Sequence, residues 1–89
     1  MELEERIRTT IRDIAQRRNN VTLDEIEWVV EKLSATYKIR RRKASHGFLF
    51  GVGSERFMVN QHNRGNKQVK RYSVDDFIDA MTELGLYEE

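Results

Sequence analysis

The stretch "HGFLFGVGSERFMV", His46 to Val59, decides how this chain is read. Phe48, Phe50 and Val52 recur at every second position, and Phe57 and Val59 resume the pattern beyond Gly53-Ser54. Side chains of a strand alternate between its two faces, so the spacing predicts two antiparallel strands joined by a two-residue turn. Counting back from that turn sets Phe50 opposite Phe57 and Phe48 opposite Val59, on the face that forms the core. The same count sets His46 opposite Gln61 and His62 opposite Ser45.

Upstream, Tyr37 to Lys43 alternates weakly and reads as a further strand, carrying the run Arg40, Arg41, Arg42, Lys43. Downstream, "NQHNRGNKQVKRY", residues 60–72, reads as a polar, basic connection with Gly65 as its turn. Ser73 and Asp76 then supply a helix-start signal, Val74, Phe77, Ile78, Met81 and Leu84 form an apolar stripe, and Gly85 is placed to end the helix. Before the strands, Thr22 and Glu25 have the spacing of a capping box. Ile26, Val29, Val30 and Leu33 make the stripe of a helix from about Leu23 to Thr36, with Trp28 off its centre. Leu3, Ile7, Ile11 and Ile14 predict another amphipathic helix over residues 2–18, supported by the i,i+4 pairs Glu2/Arg6 and Glu4/Arg8 and ended by Asn19-Asn20. That stripe is too apolar to remain solvated, and packing within the chain is expected. The class is α+β, an α-β-β-β-α unit preceded by one extra helix.

Composition bounds the functions. The chain has 89 residues, 38% hydrophobic and 35% charged, which fits one small globular domain. No cysteine is present, so disulfides, a thiolate nucleophile and Cys-based zinc sites are excluded. Two histidines with one nearby acid, Glu55, are a poor ligand set, and no metal or other cofactor is expected. No apolar run approaches the roughly 18 residues of a membrane span and the charged start is not a secretory signal, so the expected address is the cytoplasm. The net charge of +1 conceals a division. Residues 1–36 hold six Lys/Arg against eight Asp/Glu, residues 37–72 hold ten Lys/Arg against Glu55 alone, and residues 73–89 hold six acids and no cation. A strongly basic middle attracts a polyanion.

The residues in that middle resemble a known family. "RRKASH", Arg41 to His46, resembles the basic strand and "KGSH" turn of the HicA toxins; "RFMVNQH", Arg56 to His62, resembles their "VTVPxH" strand; a basic loop leads into a Ser-capped helix; and "MTELGL", Met81 to Leu86, resembles their "LKQAGL". The resemblance covers Leu23 to Tyr87. It implies a HicA-like domain over residues 21–89 with a double-stranded-RNA-binding-domain-like fold, and a helical extension over residues 1–20. It further implies a metal-independent endoribonuclease acting on messenger RNA, the toxin of a toxin-antitoxin system, masked by a HicB-like antitoxin. The catalytic histidine of the pattern falls on His46 and its second histidine on His62. Ala44 stands where the family has Gly, so either a left-handed residue is strained there by about 1 kcal/mol or the turn differs.

The chemistry is intelligible without the family. RNA is cut without metal when a base removes the 2′-hydroxyl proton, an acid protonates the leaving 5′-oxygen and cations stabilise the phosphorane. Histidine is the natural proton carrier, and His46 adjoins Arg41, Arg42 and Lys43. The expected RNA-binding set is Arg40, Arg41, Arg42, Lys43, Ser45, His62, Arg64, Lys67, Lys70 and Arg71. Two further readings stand beside this one: a non-catalytic RNA-binding module of the same fold, and an interaction domain forming a homodimer through residues 2–18.

Overall fold

The computed structural model describes residues 2–45, 47–63 and 66–88, the side chains of His62, Asn63 and Asn66 excepted. Its elements are α1 (Leu3–Gln16), α2 (Leu23–Leu33), β1 (Ile39–Lys43), β2 (Gly47–Val52), β3 (Glu55–Asn63), β4 (Asn66–Val69) and α3 (Arg71–Glu83). The strands form one antiparallel sheet in the order β1-β2-β3-β4.

The hairpin follows its sequence: Phe50 pairs with Phe57 and Phe48 with Val59. Gly53, first residue of the turn, has φ +60°, a conformation glycine adopts without steric cost. Phe50, Val52, Phe57 and Val59 are buried on one face of the sheet beneath the helices. Phe50 stacks on Phe57, which meets Phe77 of α3 edge-on at 5.4 Å. Phe48 is half-buried at the margin of that core.

Residues 60–72 are not the connection that their polarity predicts. β3 runs on to Asn63 and the chain returns as a fourth strand. β4 hides from hydropathy because "NKQV" carries one apolar side chain, Val69, which is 1% exposed. Its backbone is held from both sides. Gln61 pairs with Val69 across β3, while the Val69 N–H donates to the Val21 carbonyl and Thr22 bridges Gln68.

The helix caps divide in the same way. At α2 the capping box forms in full, the Thr22 hydroxyl accepting from the Glu25 N–H and the Glu25 carboxylate accepting from the Thr22 N–H. At α3, Ser73 does not cap. The helix starts earlier, at Arg71, and the fully buried Ser73 hydroxyl accepts the Asn60 N–H at 2.9 Å, tying α3 to β3. Gly85, with φ +76°, ends α3 as expected, and the Leu86 N–H reaches back to the Met81 carbonyl.

Helix α1 packs against both α2 and α3. Ile7, Ile11 and Ile14 are buried in the same core as α2, α3 and the sheet, as expected for packing within the chain, whereas Leu3, the first residue of the stripe, is 43% exposed. Polar contacts fasten the helix. Arg17 bonds the carboxylates of Asp13 and Glu25 and the Asn20 carbonyl, Arg18 meets Asp75 of α3 at 2.9 Å, and Arg8 donates to the Gly85 carbonyl. The guanidinium of Arg17 holds the Glu25 and Asp13 carboxyls below the usual carboxylate range, and its own affinity for the proton is raised by them.

Candidate nucleic-acid interface

Strand periodicity splits the basic run across two faces. Arg41 and Lys43 stand opposite Phe50 and Phe48, on the helix-covered side, while Arg40 and Arg42 stand opposite Gly51 and Leu49, on the open side. Arg41 is engaged within the fold: its guanidinium lies 4.2 Å over the Phe48 ring and 2.9 Å from Glu27 of α2. Arg42 and Lys43 are exposed and make no ion pair among the described residues. Arg40 lies along Gly51 and reaches the Gly53 carbonyl at 3.4 Å.

The turn between β1 and β2 brings the next candidates together. The Ala44 N–H donates to the Gly47 carbonyl, closing a loop that contains Ser45, which is exposed. No described residue other than glycine has positive φ, so Ala44 escapes the left-handed strain. Gly47 is the position that demands glycine: a Cβ there would lie 1.8 Å from the Val59 carbonyl oxygen. Gly47 faces Asn60, and the Asn60 carbonyl accepts the Lys70 N–H. Lys43, Ser45 and Lys70 thereby gather at one end of the sheet. Asn60 and Tyr72 join them without having been singled out in the sequence. The Asn60 amide donates to the Tyr72 hydroxyl at 2.8 Å, the Lys70 ammonium lies 5.9 Å from the Tyr72 ring, and Tyr72 is 50% exposed. A tyrosine directly after "VKR" in a basic segment was the available signal.

Lys67 and Arg71 face elsewhere. Lys67 pairs with Asp24 at the start of α2, and Arg71 bonds the Asn19 side chain, so both fasten β4 and α3 to the α1–α2 turn. His46 and Arg64 lie outside the described residues. His62 falls within β3, where the register shifts between Gln61 and Asn63, and its side chain is also outside the description.

The open face continues this surface. Arg40, Arg42, Leu49, Gly51 and Arg56 line a shallow depression of about 240 Å³. Beyond β3 the sign reverses: a groove of about 380 Å³ between β3 and α3 carries Asp76, Asp79 and Glu83. Among the described residues, no group of three or more His, Cys, Asp or Glu side chains is arranged to hold a metal ion. Among the described residues, no helix is long and apolar enough to cross a membrane. Comparison with protein-family models, with curated proteins and with solved structures finds no match to this chain.

Proposed function

We propose that this chain is a HicA-like, double-stranded-RNA-binding-like domain that binds RNA at the β1–β2 end of its sheet and cuts it there without a metal, His46 transferring the proton. The observation that supports the reading is the convergence of Lys43, Ser45 and Lys70 around the turn whose sequence contains His46. Lys43 and Lys70 would neutralise the phosphate, Ser45 would donate to it, and the exposed Tyr72 ring would support a neighbouring base. An antitoxin of HicB type would silence the chain by covering this end.

The test is incubation of the purified chain with single-stranded messenger RNA in the presence of a chelator. Cleavage to products ending in 2′,3′-cyclic phosphate is expected, with His46→Ala retaining affinity and losing roughly 10²-fold or more in rate. Growth arrest on induced expression should depend on His46 likewise. Retention of RNA with no cleavage by the wild type would replace the ribonuclease with an RNA-binding module built on the same cations. Absence of both retention and cleavage would refute the RNA reading.

A further inference from the structure

Ion pairs tie most charges near the helices into the fold: Arg8 to Glu4, Arg17 to Asp13 and Glu25, Arg18 to Asp75, Arg41 to Glu27 and Lys67 to Asp24. On the open face of the sheet the pattern is different. Arg40, Arg42 and Arg56 are exposed there and make no ion pair among the described residues. Residues opposite one another in a ladder share a face, and Phe50 and Phe57 fix the buried one. Arg40, Gly51 and Arg56 therefore form one row of the open face, and Arg42, Leu49 and Met58 the next. No carboxylate stands in either row.

Gly51 draws the charges together. A Cβ there would lie 3.0 Å from the Arg40 Nε, so the absence of a side chain lets Arg40 lie across β2, where it donates to the Gly53 carbonyl at 3.4 Å. Arg56 flanks the same glycine from β3. With no carboxylate in their rows these like charges repel one another, and a bound phosphate reverses the sign. Beside them Leu49 is half-buried and Met58 is 41% exposed, so the cations border an apolar strip.

A ligand that fits this surface carries a repeating negative charge and an apolar face. The two rows lie about 7 Å apart, two residues along the strands. The row beyond Met58 contains Asn60, whose amide holds the Tyr72 hydroxyl. The surface is thus continuous with the proposed cleavage site: Tyr72 and Asn60, then Arg42, Leu49 and Met58, then Arg40 and Arg56. Past the edge of β3, the α3 acids in the neighbouring groove repel a polyanion on that side. Duplex RNA keeps the faces of its bases in the stack, whereas a single strand can lay them on Leu49 and Met58 while its phosphates meet the guanidinium groups.

We infer that the open face of the sheet is a track for single-stranded RNA leaving the β1–β2 turn, its phosphates held by Arg42 and then by Arg40 and Arg56 around Gly51. This path rests on the RNA reading above and brings in Arg56, which lies outside the basic run of β1.

The experiment is fluorescence anisotropy with a labelled single-stranded RNA of about eight nucleotides, titrated with the full chain across a salt series. The RNA is 2′-O-methylated, so no mechanism that uses the 2′-hydroxyl can cut it. Two variants are compared with the wild type, their folding checked by circular dichroism: Arg40→Ala/Arg42→Ala/Arg56→Ala on the open face and Lys43→Ala/Lys70→Ala at the turn. The open-face variant should bind at least about tenfold more weakly and lose about 2 from the slope of log affinity against log salt. The turn variant, which keeps the track, should lose about 1.4. A turn variant that weakens while the open-face variant binds like the wild type would overturn the track and leave the turn site standing. No retention of RNA by the wild type would remove the RNA reading itself, and the track with it. A duplex of the same sequence bound as tightly as the single strand would overturn the track as well. So would an oligoglutamate of equal charge that displaces the RNA at equal concentration, which would assign the face to an acidic protein segment. If the triple variant does not fold, Arg42→Ala and Arg56→Ala replace it singly, and an unaltered slope in both has the same force as wild-type binding by the triple variant.

Discussion

On the helix-covered side of the sheet, Arg41 is clasped between Glu27 and the Phe48 ring; one position away on the same strand, Arg42 faces solvent with no ion pair among the described residues. Neighbouring arginines in a single run therefore serve different ends. A charge paired within the chain, even one whose side chain is 46% exposed as that of Arg41 is, ties two elements together, and its removal costs up to about 1 kcal/mol. A charge left unpaired on the surface contributes little to stability and remains available for intermolecular contacts. The difference predicts that substitutions on the helix side lower the melting temperature, whereas those on the open face alter association.

The most destructive way to challenge that contrast is Gly47→Ala, because the added methyl group would occupy the space of the Val59 carbonyl oxygen. Destabilisation by about 3 kcal/mol is expected, the upper end for overpacking. Thermal melting measures it, and a melting curve like that of wild type would show that β2 and β3 separate there without penalty. Ile11→Ala follows. Ile11 is fully buried between α1 and the core, and its truncation should destabilise by about 2–4 kcal/mol in urea titrations. A negligible change would mean that α1 is dispensable. Ser73→Ala removes the acceptor of the Asn60 N–H and is expected to cost about 1–3 kcal/mol, with faster hydrogen exchange at Asn60.

A finer test uses pH. Arg17 lowers the proton affinity of Glu25 and Asp13, so the stabilisation they contribute is present above their unfolded pKa values, near 4. It is lost as pH falls through the lower folded values. Arg17→Ala is expected to destabilise at neutral pH by about 1 kcal/mol, with the gap from wild type narrowing below about pH 4. A constant gap across that range would detach the clasp from these carboxylates. The smallest effect belongs to the open face. Arg42→Ala should change monomer stability by no more than about 0.5 kcal/mol.

Much of this organisation was legible in the residues. The Phe50–Phe57 register followed from alternation about Gly53-Ser54, the α2 cap from Thr22 and Glu25, the end of α3 from Gly85, and the docking of α1 from its isoleucine stripe. Local chemistry determined each of these. What escaped depended on distant partners. β4 carries almost no apolar signal because its strand identity comes from backbone pairing with β3 and with the Val21–Thr22 segment. Ser73 reads as a cap until Asn60 claims its hydroxyl. In the basic middle, residues 37–72, ten cations were countable, but their destinations were not. Lys67 and Arg71 turn to the α1–α2 connection through neighbours more than forty positions away in sequence, Asp24 and Asn19. Arg41 was distinguishable from Arg42 only once the β1–β2 register placed it opposite Phe50.

The docking of α1 onto α3 also has a consequence for the time course of folding. Successive strands are neighbours in the sheet, so the meander assembles through contacts close in sequence, whereas the Arg8–Gly85 and Arg18–Asp75 bonds join residues 77 and 57 positions apart. Closing so long a loop costs more entropy than forming a hairpin and is expected to come after the sheet and α3 exist. The first helix made would then be the last to dock. In stopped-flow measurements, Ile11→Ala should accelerate unfolding and leave the refolding rate nearly unchanged, the mark of an element absent from the transition state.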